Sequence, residues 1–149
     1  MDDPRAKMQD ALKQAMINKD NERRDVLRMA LNAIKQVEID ERKTLTAEEV
    51  ATVLQRELKT RREAIEEARK AGRDETVNEE AGRAQILESF LPKQMSRDEV
   101  TVLVQDAIRE SGATSAKEMG KVMSILMPKV KGLADGKMVN EVVREHLNS

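Results

Sequence analysis

The sequence predicts an all-α protein, and three observations carry that prediction. Hydrophobic residues make up 39% of the 149 residues, and they are mostly Ala, Leu, Val, Ile and Met, with a single aromatic residue. Charged residues make up 37%, and a chain rich in Ala, Leu, Glu, Lys and Arg favours helices. Apolar residues recur at spacings of three and four, as on the buried face of a helix. We expect about four helices forming a bundle in residues 1–92 and a three-helix module in residues 93–149.

The first two predicted helices are joined by a short break at residues 18–21. Asp3 is expected to cap the first helix, with Pro4 at its first position. The second helix is expected over about residues 22–42. Because the connection is short, the two helices should pack as neighbours. Their expected buried stripes are Met8, Leu12, Ala15 and Met16 in the first helix, and Val26, Leu27, Ala30, Leu31, Ile34 and Val37 in the second.

The third and fourth predicted helices form the rest of the N-terminal bundle. Thr46 and Glu49 have the spacing of a capping box, and Gly72 is the expected end of the third helix. Asp74 is expected to cap the fourth helix and Pro92 to end it. The expected apolar stripes are Val50, Val53, Leu54, Leu58 and Ile65, followed by Val77, Ala81, Ala84, Leu87 and Leu91.

Residues 93–96 are interpreted as a linker to the C-terminal module. Two further capping boxes are predicted there, beginning at Ser96 and Ser115. Gly112 and Pro128 are expected to end the fifth and sixth helices, and Asp135 to cap the seventh. The expected inward residues are Val100, Leu103, Val104, Ala107, Ile108, Met119, Val122, Met123, Leu126, Met138, Val139, Val142, Val143 and Leu147.

Composition argues against several classes of chemistry. The chain has no cysteine and a single histidine, His146, so thiolate chemistry, disulfides and a His-based triad are not expected. We predict no catalytic residues, no metal site and no cofactor. The N-terminal residues do not resemble a signal peptide, and no apolar run is long enough to span a membrane. We therefore expect a cytoplasmic protein that has neither a membrane nor DNA as a partner.

The candidate binding site lies in residues 115–137. This window contains five lysines and two acidic residues, a net charge of +3, whereas the whole chain has a net charge of −1. Lysines around the first turn of a helix are suited to phosphate contacts, which position a nucleic acid without reading its bases. The predicted RNA-binding residues are Lys117, Lys121, Lys129, Lys131, Gly136 and Lys137. The alternative interpretation, which the spacing alone favours, is that proline, glycine and aspartate simply end and begin helices there and that the lysines keep the loop soluble.

Two other features also have a structural and a functional interpretation. Met119, Met123, Met127 and Met138 form either an adaptable binding face or gap-filling core. The basic residues of the third helix, such as Arg61, form either one side of a binding surface or part of a solvated, salt-bridged face. In both cases the structural interpretation is favoured.

The sequence resembles the GatB/YqeY family, in particular its small stand-alone YqeY-like members, over nearly the whole chain. The motifs are individually weak and together specific. They are LRM at 27–29, AIK at 33–35, EIDER at 38–42, LTAEEV at 45–50, AGR at 71–73, FLPKQMS at 90–96, SGA at 111–113, MGKVM at 119–123 and KGLADGK at 131–137.

This resemblance implies a two-domain all-α fold whose C-terminal module is similar to the tail of the B subunit of glutamine-dependent tRNA amidotransferases. Those enzymes convert misacylated Glu-tRNA or Asp-tRNA to the amide form, and their tail is thought to grip the tRNA. The family label, a carbon–nitrogen ligase with glutamine as amide donor, then describes ancestry, because the chain lacks the ATP-binding cradle and an amidase nucleophile. The chain departs from the family pattern at Leu133, where arginine is expected, and at Gly82, where an acidic residue is expected.

From residues and resemblance together we expect a non-catalytic accessory protein that binds tRNA or another structured RNA by shape and phosphate contacts. The main alternative is an adaptor that binds an amidotransferase or an aminoacyl-tRNA synthetase. An autonomous amidotransferase is the least favoured hypothesis, because the chain lacks the residues for that chemistry.

Overall fold

Helices account for most of the chain in the computed structural model, which describes residues 2–148. Within that range there are seven α-helices, one turn of 3₁₀ helix at Ala116–Glu118, and no strand, so the all-α prediction is confirmed. The helices are α1 (Pro4–Ile17), α2 (Asn21–Glu41), α3 (Ala47–Lys70), α4 (Asp74–Glu88), α5 (Arg97–Ser111), α6 (Met119–Val130) and α7 (Gly136–Leu147). None of the helices in residues 2–148 has the length and apolar content needed to cross a membrane.

The chain divides into two compact units, Met1–Pro92 and Lys93–Ser149. The first unit contains α1 to α4, with α3 packed closely on α4 and α1 on α2. Its core is formed by Met8, Val26, Leu27, Ala30, Ile34, Leu45, Val50, Val53, Leu54, Leu58, Ala84 and Leu87. Two residues of the predicted stripes are exposed. Met16, in the last turn of α1, is 52% exposed, and Ala81 is exposed on α4.

Side-chain caps begin the first three helices. The Asp3 carboxylate accepts a hydrogen bond from the Arg5 backbone amide at 2.8 Å, as predicted. The capping box at α3 is also confirmed. The Thr46 hydroxyl accepts from the Glu49 amide at 3.3 Å, and the Glu49 carboxylate accepts from the Thr46 amide at 3.2 Å. These bonds satisfy amides that the first turn of a helix leaves without partners.

The ends of α4 differ from the prediction. Asp74 is the first helical residue and not the cap, and the capping position, Arg73, makes no side-chain cap bond. A carboxylate in the first turn still stabilises the positive end of the helix dipole. At the other end α4 stops at Glu88, before Pro92. The amides of Phe90 and Leu91 instead make tighter turns, because the residue before a proline is disfavoured in helical conformation.

The second unit contains α5, α6 and α7 around its own apolar core. The core residues are Val100, Val104, Ala107, Ala113, Val122, Leu126, Val130, Ala134, Val139, Val142, Val143 and Leu147. Ser96 begins α5, since its hydroxyl accepts from the Glu99 amide at 3.2 Å. Gly112 ends α5 with φ of +71°, a left-handed conformation that glycine adopts without strain.

Two predicted boundaries of α6 are wrong. Ser115 makes no side-chain cap bond, because the chain forms a 3₁₀ turn there and the Glu118 carboxylate accepts from the Thr114 amide at 2.7 Å. Pro128 does not end α6 but lies inside it. The helical bond from the Lys131 amide to the Met127 carbonyl, 2.9 Å long, closes the turn that contains the proline. Val130, 1% exposed, keeps this last turn packed on the core.

Candidate nucleic-acid interface

The two sides of α6 differ sharply in burial. Val122, Leu126 and Val130 point into the core, spaced at four residues. Because successive helical residues turn by about 100°, the opposite side is occupied by Gly120, Lys121, Ser124, Pro128 and the C-cap Lys131, all of them exposed. We call these five residues the α6 face. Lys117 is exposed in the 3₁₀ turn that precedes α6.

The five predicted binding lysines are all exposed, and none of them forms an ion pair with any residue in 2–148. Two arginines of the same unit behave differently. Arg97 on α5 pairs with Glu145 at 2.5 Å and with Glu141 at 3.5 Å, and Arg109 pairs with Asp106. The hydrogen bond to Glu145 raises the pKa of Arg97. The two arginines are thus neutralised within the unit, whereas the lysine charges remain available.

No acidic residue occurs in α6, whereas every other α-helix has at least one. The nearest acids along the chain already accept backbone hydrogen bonds. Glu118 accepts from the Thr114 amide, and Asp135 caps α7 by accepting from the Lys137 amide at 3.3 Å. α6 itself therefore contains lysines and no acidic side chain to compensate their charge.

The structure does not place the six predicted binding residues on one side. Lys121 and Lys131 lie on the outer side of α6, whereas Lys129 is turned by roughly 120° from the centre of that side. Lys117 lies in the 3₁₀ turn before α6. Gly136 and Lys137 begin α7. The Asp135 carboxylate already occupies the start of α7, so a phosphate there would meet a negative charge.

The loop between α6 and α7 is tied to the start of the unit. Gly132 is buried and has φ of +78°, and its carbonyl accepts a hydrogen bond from the Gln94 side chain at 3.1 Å. The Leu133 carbonyl accepts from the Met95 amide at 2.7 Å, and Leu133 itself is half-buried. The backbone of the loop between α6 and α7 is thus held in place by these hydrogen bonds, and exposed lysines lie on either side of it.

The methionines of this unit are mostly core. Met119, Met123 and Met138 are partly buried and pack against the apolar cluster, which agrees with the structural interpretation. Met127, 37% exposed, is the one of these four residues that is classed as exposed.

Three of the four arginines of α3 form ion pairs, which agrees with the structural interpretation. Arg61 contacts Glu80 at 3.3 Å, Arg62 contacts Glu88 at 2.6 Å, and Arg69 pairs with Glu66. A shallow depression of about 370 Å³ on α3 is lined by Lys59, Arg62, Glu63, Glu66 and Glu67. Its charges largely cancel, so it offers no concentrated field to a ligand.

Sequence reasoning missed two features of the second unit. One is an open groove of about 340 Å³, which is lined by Gln105, Ile108, Arg109 and His146 of α5 and α7. The other is the shared orientation of Gly120, Ser124 and Pro128, whose spacing of four residues was available in the sequence. Across residues 2–148, no group of three or more histidine or acidic side chains is placed to hold a metal ion.

The fold and this surface define a class: an all-α protein in which one helix presents lysines without acidic partners. The family model for Yqey-like protein matches residues 5–147, which is nearly the whole chain, and the chain therefore belongs to that family. Comparison with the curated proteins gave no match.

Proposed function

We propose that the protein is a non-catalytic RNA-binding accessory protein, which docks tRNA or another structured RNA through residues 93–149. The observation that supports this most strongly is the set of exposed lysines without ion-pair partners in the described chain, next to a helix without acids. Phosphate oxygens are the groups such lysines would bind. Any amide transfer linked to this binding takes place on a partner enzyme.

Contacts would go to phosphates and to the shape of the RNA, and not to stacked bases. The single aromatic residue of the chain, Phe90, lies in the first unit, where Arg23 stacks over its ring with the guanidinium carbon 5.4 Å from the ring centroid. Residues 93–149 therefore contain no Phe, Tyr or Trp on which a base could stack. Single-strand binders rely on such stacking, so a folded RNA is the better ligand.

The test is a fluorescence-anisotropy titration of the full chain with bulk tRNA at two salt concentrations. Binding through lysine–phosphate contacts should weaken steeply as salt increases. The variant changes all five predicted lysines, Lys117, Lys121, Lys129, Lys131 and Lys137, to Gln. We expect it to bind much more weakly and with a shallower salt dependence, the log–log slope falling by roughly one unit for each phosphate that is no longer bound.

The matched control changes five exposed lysines of the first unit to Gln: Lys7, Lys13, Lys35, Lys59 and Lys70. It alters the net charge equally and should bind as the unmodified protein does. No binding of tRNA at low salt would overturn the proposed function and direct the search to a protein partner, such as an amidotransferase or an aminoacyl-tRNA synthetase. Equally weakened binding in both variants would show diffuse attraction and not a binding surface.

A further inference from the structure

The α6 face carries two residues that are unfavourable inside helices. Gly120 lies in the first turn of α6 and Pro128 in its last turn, and both are exposed. Glycine costs a helix interior up to about 1 kcal/mol relative to alanine, and an interior proline removes a backbone hydrogen bond. Departures from local helix rules are concentrated at functional sites.

Gly120 has no structural need to be glycine among the described residues. Gly72, Gly112 and Gly132 have positive φ angles, which favour glycine. At Gly82 an added Cβ would lie 2.9 Å from the Glu22 carboxylate, so that position has a neighbour close by. A Cβ at Gly120 would meet nothing within 4 Å, and its φ is not positive, two properties that it shares with Gly136 at the first position of α7. The space in front of Gly120 is therefore free for a partner of the protein.

The charges on the α6 face indicate the chemistry of that partner. Lys121 and Lys131 stand near the two ends of the face, about 15 Å apart along the helix axis. Between them lie only small or compact residues, Ser124 and Pro128, and no acidic side chain. A long, evenly charged polyanion can pass along such a surface and contact a lysine near each end. A single phosphate ion or a compact acidic molecule could reach only one of them.

We infer that the α6 face lies along the sugar–phosphate backbone of an RNA double helix, with Lys121 and Lys131 on separate phosphates and Gly120 at the closest approach. This inference rests on the proposed function, and it specifies that the RNA ligand is a base-paired stem and not a single strand. Double-helical RNA presents a wide, shallow minor groove with 2′-hydroxyl groups at its surface. The Ser124 hydroxyl donates to the Gly120 carbonyl at 3.0 Å, so its lone pairs remain able to accept from a 2′-hydroxyl.

The test uses the full chain and three fluorescent probes: an RNA hairpin with a stem longer than one helical turn, an unstructured RNA of equal length, and the DNA version of the hairpin. We expect the RNA hairpin to bind most tightly. The variant Lys121→Gln/Lys131→Gln should weaken hairpin binding roughly tenfold at low salt and reduce the log–log salt slope by about 2. The control Lys93→Gln/Arg144→Gln removes two exposed cations of the same unit outside the face and should leave binding unchanged.

A second variant tests the close approach without changing any charge. Gly120→Gln fills the open space on the face, and we expect it to weaken hairpin binding at least several-fold while far-UV circular dichroism stays unchanged. Val102→Gln places the same side chain at an exposed site on α5 and should bind normally.

Equal binding of hairpin and unstructured RNA, or of RNA and DNA hairpins, would overturn the inference about the ligand. The inference would also be overturned if the lysine variant and its control bound the hairpin equally weakly, or if Gly120→Gln bound it as the unmodified protein does. These results leave the proposed function standing if tRNA still binds. If neither tRNA nor any of the three probes binds, the proposed function itself fails, and the two failures are thereby distinguished.

Discussion

The Arg61 guanidinium on α3 lies 3.3 Å from the carboxylate of Glu80 on α4. Glu80 also pairs with Arg83 at 2.7 Å, and it is only 8% exposed, the one buried charged residue in the described chain. Arg62 and Glu88 form a second bridge between the same helices at 2.6 Å, but both are at least half-exposed. The two helices are thus joined by one shielded ion pair and one solvated ion pair.

Removing the shielded carboxylate should destabilise the first unit far more than removing the solvated one. We expect Glu80→Ala to lower the free energy of unfolding by about 2 kcal/mol, because it leaves Arg61 partly buried without its partner. Glu88→Ala should cost less than about 1 kcal/mol, as exposed ion pairs contribute little. Urea denaturation followed by circular dichroism measures both. Equal losses of unfolding free energy in the two variants would show that burial does not determine how much these ion pairs contribute to stability.

The capping box of α3 predicts a pH dependence. A hydrogen bond from Lys43 at 2.6 Å, and one from the Thr46 amide, lower the pKa of Glu49 to about 2 from its usual 4.5. A carboxylate whose folded pKa is depressed stabilises the fold above its unfolded pKa, and this contribution is lost as the pH falls through the folded pKa. The stabilisation from Glu49 should therefore disappear between about pH 4.5 and pH 2.

Glu49→Gln tests this, since glutamine keeps the capping geometry and removes the charge. The variant should be less stable than the unmodified protein at neutral pH, and the two stabilities should converge as the pH falls from about 4.5 to about 2. Glu63→Gln is the control, on an exposed residue of the same helix with no ion pair in the described chain. A constant difference at all pH values would rule out the Lys43–Glu49 pair as the cause.

Two glycines of the second unit should respond oppositely to alanine. Neither Gly112 nor Gly120 has an atom within 4 Å of an added Cβ, so steric contact is equal for both. At Gly112, with φ of +71°, alanine should cost about 1 kcal/mol because the left-handed conformation strains it. At Gly120, alanine should stabilise by about 0.5 kcal/mol through helix propensity. Thermal unfolding compares them, and a lower stability of the Gly120 variant would reveal a structural role for that glycine.

Replacing Pro128 by alanine should strengthen the last turns of α6. The substitution restores an amide that can donate to the Ser124 carbonyl, the partner four residues earlier. The gain, roughly 1 kcal/mol, is reduced by the greater freedom of the unfolded chain without proline. Hydrogen exchange of the α6 amides measures it directly. Faster exchange after the substitution would mean that the proline stabilises this turn.

Local patterns predicted most helix ends, and the errors have physical causes. Asp3, Thr46 and Asp135 cap helices as expected, because each cap depends only on residues two or three positions away. The prediction failed at Ser115, where Glu118 instead accepts from the Thr114 amide. It failed again at Pro128, where packing of Val130 on the core outweighs the local preference for ending a helix at proline.

The sequence predicted which lysines belong to the candidate surface, but it did not predict how they are arranged in space. Sequence spacing places Lys117, Lys121 and Lys131 within residues 115–137 together with Lys129 and Lys137. It did not show that α6 continues past Pro128, and without that continuation Lys131 has no common side with Lys121. It also did not show that Asp135 bonds to the Lys137 amide beside Gly136.

By itself the sequence determined the helical class, the order of the seven helices and most of their caps, because these depend on spacings of three and four residues and on local hydrogen bonds. Only the tertiary structure decided which apolar residues enter a core, that Glu80 is buried between Arg61 and Arg83, and which lysines share one side of α6. These features depend on helices from distant parts of the chain packing together, and packing can override a local preference, as it does at Pro128.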